Sequence, residues 1–405
     1  MRHYFPALKA SHAFLDNAGG TQVPQCVIDA VLSCYTDSFG QRGGAYPASE
    51  RAGAIIQRAH DVVGTFVNAT DRGTCIIGSS STSLLHLIAS AYADALKSGE
   101  IAPHRNKIIV SALGHEANVH PWTRLATRGF EIVMWEPRVS REGRHMTARL
   151  CMDSLRELLD DRTLLVVFPE CSNIIGQRED SIAITKLAHA KGARVVVDAV
   201  ASAPHRLPDV TMGDFDWLVY STYKVFGPHA AALYGSFDAF KPLTGPNHWF
   251  IPRESLPYKF ELGGVSHESA AGIGALDTYM RQFIGADGTR DSRGVFTEAF
   301  RKIEAIEGEL LECLLGKLRA DDRVGVIGDP HVSPDRIAIV SFTVKGRTSE
   351  SVARELSERG MGVKRGDFYS RRLIERLGIP VDDGVVRISL AHYNTREEIE
   401  RLNIS

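Results

Sequence analysis

The sequence predicts an α/β protein built on a buried, mostly parallel, doubly wound sheet, with a smaller α+β unit toward the C-terminal end. Three observations carry this. Short apolar runs rich in β-branched residues recur through the middle of the chain, helical or turn segments separate them, and no repeat or low-complexity linker breaks the series. With 405 residues, 44% hydrophobic and 24% charged, the chain can bury one large core and a second smaller one without disulfides or metal.

The expected strands are Arg105 to Ser111, Phe130 to Trp135, Thr163 to Phe168, Ala193 to Asp198 and Trp217 to Ser221. Strands covered on both faces read as continuous apolar runs, as these do. A helical run from Leu84 to Leu96 precedes them. Beyond the glycine-rich, charged stretch Gly285 to Gly294, the pattern predicts a long helix over Val295 to Leu318. A strand over Arg336 to Val344, a helix over Ser349 to Arg359 and a strand over Val385 to Leu390 complete the separate unit.

A formal net charge of -2, from 47 basic and 49 acidic residues, supplies no basic face of the kind nucleic-acid binders carry. The first residues contain no signal-like apolar stretch and no segment approaches a membrane-spanning length, so a cytoplasmic protein is expected, with no membrane partner. Cys26, Cys34, Cys75, Cys151, Cys171 and Cys313 are scattered without a C-x-x-C pair or a Cys/His cluster, so neither a metal site nor a disulfide framework is expected. Small-molecule chemistry remains.

Ligands of doubly wound sheets bind at the carboxyl ends of the strands, where Asp198 and Ser221 close two apolar runs. Lys224 follows 26 residues after Asp198. An acid and a lysine so placed suit pyridoxal 5′-phosphate (PLP), whose pyridinium nitrogen takes a carboxylate partner and whose aldehyde takes an amine. Taken singly, each is better accounted for as a helix-capping aspartate or a surface lysine, because single-residue matches are weak evidence. The turn Gly78-Ser-Ser-Ser-Thr-Ser83 before a helix would present donors to a phosphate, or simply cap that helix. His115, after another apolar strand, could lie on a cofactor ring or be an interior histidine with its hydrogen bonds met.

Joined in order, Phe14-Leu-Asp-Asn17, the Gly78 to Ser83 turn, Gly114-His-Glu-Ala-Asn-Val-His-Pro-Trp122, Ser172-Asn-Ile-Ile-Gly176, Asp198, Ser221-Thr-Tyr-Lys224 with Gly227-Pro228, and Val386-Arg-Ile-Ser-Leu-Ala-His-Tyr-Asn-Thr395 cover almost the whole chain. The series resembles the class V aminotransferase and cysteine desulfurase-like family of fold-type I PLP-dependent enzymes. The resemblance implies a large PLP-binding domain over 17–285 and a small domain from 1–16 with 286–405. It also implies that Lys224 holds PLP as a Schiff base, Asp198 faces the pyridinium and His115 stacks on the ring. Ser81, Thr82 and Ser221 would contact the phosphate, Asn173 the phenolic oxygen and substrate, and Arg387 the substrate carboxylate. Such enzymes are homodimers with the cofactor near the interface, and Ser266 or His267 matches a segment that reaches the partner's phosphate.

The departures bear on the reaction. Ala201 stands where the family usually has glutamine, and Tyr223, whose hydroxyl can still serve the phosphate, replaces histidine. In Val363-Lys-Arg-Gly-Asp-Phe-Tyr-Ser370, Tyr369 falls about where sulfur-transferring members place a nucleophilic cysteine, and no cysteine follows Cys313. The chain therefore resembles a branch without the catalytic cysteine, marked further by Gly43-Gly-Ala-Tyr46, Gly245-Pro-Asn-His248 and Phe260-Glu-Leu-Gly-Gly264. The expected function is a PLP-dependent C–S or C–Se lyase that eliminates a β-substituent from a cysteine-type amino acid without an enzyme persulfide. The alternatives are a class V aminotransferase, or a decarboxylase or epimerase, on a small amino acid. A non-catalytic PLP-fold binding protein is a third reading, against which the joint retention of Lys224, Asp198 and Arg387 speaks.

Overall fold

A computed structural model describes residues 1–9, 12–37 and 40–404. Its main sheet has seven strands in the order Gly73–Gly78, Ala231–Ser236, Trp217–Ser221, Arg194–Asp198, Thr163–Pro169, Lys107–Ser111 and Glu131–Trp135. Ala231–Ser236 is antiparallel to both neighbours and the other pairs are parallel. All five expected strands are present. The two that sequence patterning did not reveal sit together at one side. Ala231–Ser236, made largely of small residues with weak strand preference, owes its conformation to pairing on both edges.

Helices cover both faces, as the unbroken apolar strands require. Ser81–Ser98 packs Leu84, Leu85, Ile88 and Tyr92 against one face, while Pro47–Phe66 packs Ile56, Val63 and Phe66 against the other. The 28-residue helix Ser292–Arg319 links two cores. Val295, Phe296 and Phe300 join the main core, and Leu311, Leu314, Leu315 and Leu318 join that of the C-terminal sheet. The apolar spacing of three and four residues along one helix lets its stripe serve both.

The C-terminal sheet has six strands in the order Lys364–Gly366, Val385–Ser389, Ile339–Val344, Val324–Ile327, His145–Arg149 and Arg138–Glu142. The last two form a hairpin from the middle of the chain, joined to the C-terminal strands through Met146 opposite Ile327.

The N-terminal segment ties the sheets together. Ala13–Phe14 pairs in parallel with Met361–Gly362, and Asp16 bridges to Ser389. Asn17 Nδ2 donates to Ser389 O at 2.7 Å and to Asn394 Oδ1 at 3.1 Å, and Asn17 Oδ1 accepts from the Tyr393 hydroxyl. Thr21 then reaches the main sheet. Its N–H donates to Tyr223 O at 3.0 Å, and its hydroxyl accepts from the Phe226 N–H at 2.9 Å. Among the described residues no helix is long and apolar enough to cross a membrane, and no group of histidine, cysteine and acidic residues is arranged to hold a metal.

Candidate active site

At the carboxyl ends of the parallel strands, four successive connections turn toward one cavity. Strand Lys107–Ser111 leads to His115, Thr163–Pro169 to Asn173, Arg194–Asp198 ends on Asp198, and Trp217–Ser221 leads to Lys224. The cavity is lined by Ser81, Thr82, His115, Asn173, Asp198, Ser221, Tyr223 and Lys224, with Cys171 and Ala201 in its wall. Eight residues singled out across 144 positions of the chain thus meet at one place, where parallel strand direction brings their loops.

Lys224 opens onto the cavity but its ammonium is enclosed by protein. Burial, then the neighbouring Arg387, lower it from 10.5 to about 8, while Asp198 and Asp16 pull the other way. It is not a surface lysine. Asp198 is 6% exposed, and burial raises its carboxyl to about 6 against the Val200 N–H, which donates to Oδ1 at 2.9 Å, and Lys224. A buried carboxylate so destabilised gains from a cation beside it, which is what a protonated ring nitrogen supplies. His115 caps the helix Glu116–Thr123 by accepting the Ala117 N–H at Nδ1, 3.0 Å away. Burial, Lys224 and Arg387 lower it to about 4, so near neutral pH it presents an uncharged ring.

The helix Ser81–Ser98 starts at the cavity with a capping box between Ser80 and Ser83. Among the described residues, no partner is seen for the Ser81 and Thr82 N–H groups. Ser81 and Ser221 hydroxyls meet at 2.8 Å. Free N–H groups at the positive end of an 18-residue helix, flanked by hydroxyls, suit a phosphate. Carboxylate, lysine, neutral imidazole and anion pocket together fit PLP.

Other expected residues lie around this centre. Tyr223 stacks on His229, with ring centroids 4.6 Å apart. Asn173 is engaged by the C-terminal loop: its Nδ2 donates to Phe368 O at 3.0 Å, and its Oδ1 accepts from the Ser370 hydroxyl at 2.8 Å. Arg387 is 3% exposed and packs against the Phe368 ring, 3.9 Å from its centroid. Tyr369 is 71% exposed, with its ring 5.3 Å from that of His115. Ser266 and His267 are not among the cavity's lining residues. Ser266 caps the helix His267–Gly274 in an adjoining cleft of about 500 Å³. Sequence reasoning missed Thr21, Asp16 and Phe368 as site residues. Asp16 and Phe368 stood inside recognised motifs, but only their contacts with Arg387 distinguish them from their neighbours.

The sequence model of the family described as Aminotransferase class-V matches residues 13–402. The aminotransferase-like protein FGM3 of Gibberella zeae is 33% identical over 100% of this chain and 96% of its own. The cysteine desulfurase-like protein ustD of Aspergillus flavus is 31% identical over 98% and 87%. Among solved structures, the apo cysteine desulfurase of Thermococcus onnurineus superposes with a TM-score of 0.81 at 23% identity, over 98% of this chain and 94% of that one, and shares the fold.

The lowered Lys224 has a measurable consequence. With its value at about 8, roughly a tenth of the amine is neutral at pH 7, about 300-fold more than for a lysine at 10.5. Attachment of PLP to the apo chain, followed by absorbance, should accelerate about tenfold per pH unit and level off above about pH 8. A rate still climbing tenfold per unit at pH 10 would show that burial does not tune this amine.

Proposed function

Since the chain belongs to the class-V aminotransferase family, whose members are PLP-dependent enzymes, we propose that it is a lyase removing a sulfur or selenium group from Cβ of a cysteine-type amino acid, with no persulfide on the enzyme. The observation that carries this reading is Tyr369, exposed beside His115 and standing, by the family resemblance, about where sulfur-transferring members place a nucleophilic cysteine. Among the described residues Cys171 is the cysteine in the cavity wall. It is 2% exposed, burial pushes its thiol well above the usual range, and its Sγ–H points to Ser172 O at 3.6 Å. A sealed, protonated thiol does not accept sulfur.

When bound, PLP supplies an electron sink for the pair released at the substrate's Cα. In our reading the remaining tasks fall to the chain. Arg387 holds the α-carboxylate, for which a planar donor fork is suited. Lys224, neutral in an appreciable fraction near pH 7, takes the Cα proton on Nζ. Asp198, a buried carboxylate, would hold the ring nitrogen's proton, and His115, uncharged near neutral pH, would face the ring without adding charge. The substrate's C–S bond breaks with its electrons leaving on sulfur. With one water consumed, the products are a thiol, a 2-keto acid and ammonium.

The family dimer is also part of the proposal. Trp249, Phe250 and Leu262 are 93%, 65% and 58% exposed, and Leu262 lines the cleft that holds Ser266, an apolar surface that a second copy would cover. Native mass spectrometry should give a dimer, and a monomer at micromolar concentration would remove this element.

Asp198→Asn should retain PLP, because Oδ1 can still accept the Val200 N–H, yet lose activity on the order of 10²- to 10³-fold as the ring charge goes uncompensated. Full activity in that variant would reassign the residue.

Cysteine S-conjugates should give thiol, keto acid and ammonium in equal amounts, and protein quenched in mid-turnover should keep its unmodified mass. One added sulfur atom on Cys171 or any other cysteine would refute the lyase reading. Amino transfer to an added keto acid without thiol release would establish the aminotransferase instead.

A further inference from the structure

Arg387 already holds a carboxylate of its own chain. Its Nη2 donates to Asp16 Oδ1 at 3.0 Å, its Nη1 reaches Asn173 O only at 3.4 Å, and its buried Nε has no partner among the described residues. Nε and Nη2 lie on the same edge of a guanidinium and form one of the forks that grip a carboxylate with two parallel hydrogen bonds. Asp16 takes half of that fork. The other half is an unsatisfied donor on a side chain that is 3% exposed, which is costly unless a ligand meets it. Phe368 lies against the guanidinium face, so Arg387 cannot readily turn to offer another edge. Asp16 itself is the more accessible partner, with a side chain 23% exposed against 4% for Arg387.

We propose that Asp16 is a gate for carboxylate ligands: it occupies the Nη2 half of the Arg387 fork in the free enzyme, and a substrate carboxylate must displace it to bind through Nε and Nη2 together. This rests on the reading of Arg387 as the carboxylate-binding residue and adds to it a competitor within the chain. Asp16 thereby sets a threshold. A ligand bearing one well-placed carboxylate exchanges one ion pair for a bidentate one, whereas a ligand without a carboxylate leaves Asp16 in place and gains nothing from Arg387.

The test compares two unreactive probes on the apo chain, by calorimetry. N-(5′-phosphopyridoxyl)-L-alanine carries the carboxylate and pyridoxamine 5′-phosphate lacks it, so the ratio of their affinities isolates the carboxylate's share. Asp16→Asn keeps the shape but removes the charge, and should raise that ratio about tenfold while leaving pyridoxamine 5′-phosphate affinity unchanged. Asp16→Ser, which cannot reach the fork, should do the same and guards against a misfolded first variant. An unchanged or reduced ratio in both folded variants overturns the gate and makes Asp16 an orienting partner. Arg387→Ala separates the two levels: if it leaves the ratio as in the wild type, Arg387 is not the carboxylate site and the underlying reading fails. If it collapses the ratio while the Asp16 variants do not raise it, that reading stands and the gate alone is refuted.

Discussion

Two cations enclosed in one low-dielectric region dominate this molecule. Burial disfavours the charge on both Lys224 and Arg387, and the nearby guanidinium makes that of Lys224 harder still to keep. The guanidinium cannot give up its proton near neutral pH, so the amine yields first. Burial first, and then the arginine that stays charged nearby, bring the lysine down toward neutral pH. Asp198 and Asp16 limit the effect, one beside the lysine at a strand end and one beside the arginine at the edge of the second sheet.

That balance requires the two sheets to stay in register, since Lys224 belongs to one and Arg387 to the other. Residues 13–22 act as the strap between them. Asn17 uses both ends of its amide on the C-terminal sheet and its following turn, and Thr21 grips the backbone on both sides of Lys224. Buried hydrogen bonds of this kind contribute about 0.5–1.5 kcal/mol each, and leaving one unmade costs more. Phe226, just after the lysine turn, has φ of 70°, a conformation an aromatic residue adopts only where its surroundings compel it.

The C-terminal loop shows the same economy. Phe368 and Tyr369 are both left-handed, at φ of 51° and 58°. Asn173 compensates with one hydrogen bond to the Phe368 carbonyl and one from Ser370. Phe368 is thereby pressed against Arg387 and Tyr369 turned outward next to His115. Loop geometry here is fixed by backbone and anchor, so the chemistry of position 369 can change while the arginine stays supported.

The sequence by itself determined the five parallel strands, the helices between them and the residues Lys224, Asp198, His115 and Ser221, because continuous apolar runs encode strands buried on both faces and parallel strands deliver their following loops to one end. It did not determine the strands Gly73–Gly78 and Ala231–Ser236, or that the hairpin Arg138–Arg149 joins the distant C-terminal sheet, because pairing with remote partners decides these and leaves little local pattern. Nor could it separate Asp16 or Thr21 from their neighbours. Their significance lies in contacts spanning 371 and 205 positions of the chain, and only the packing of one sheet against the other sets which donor each of them meets.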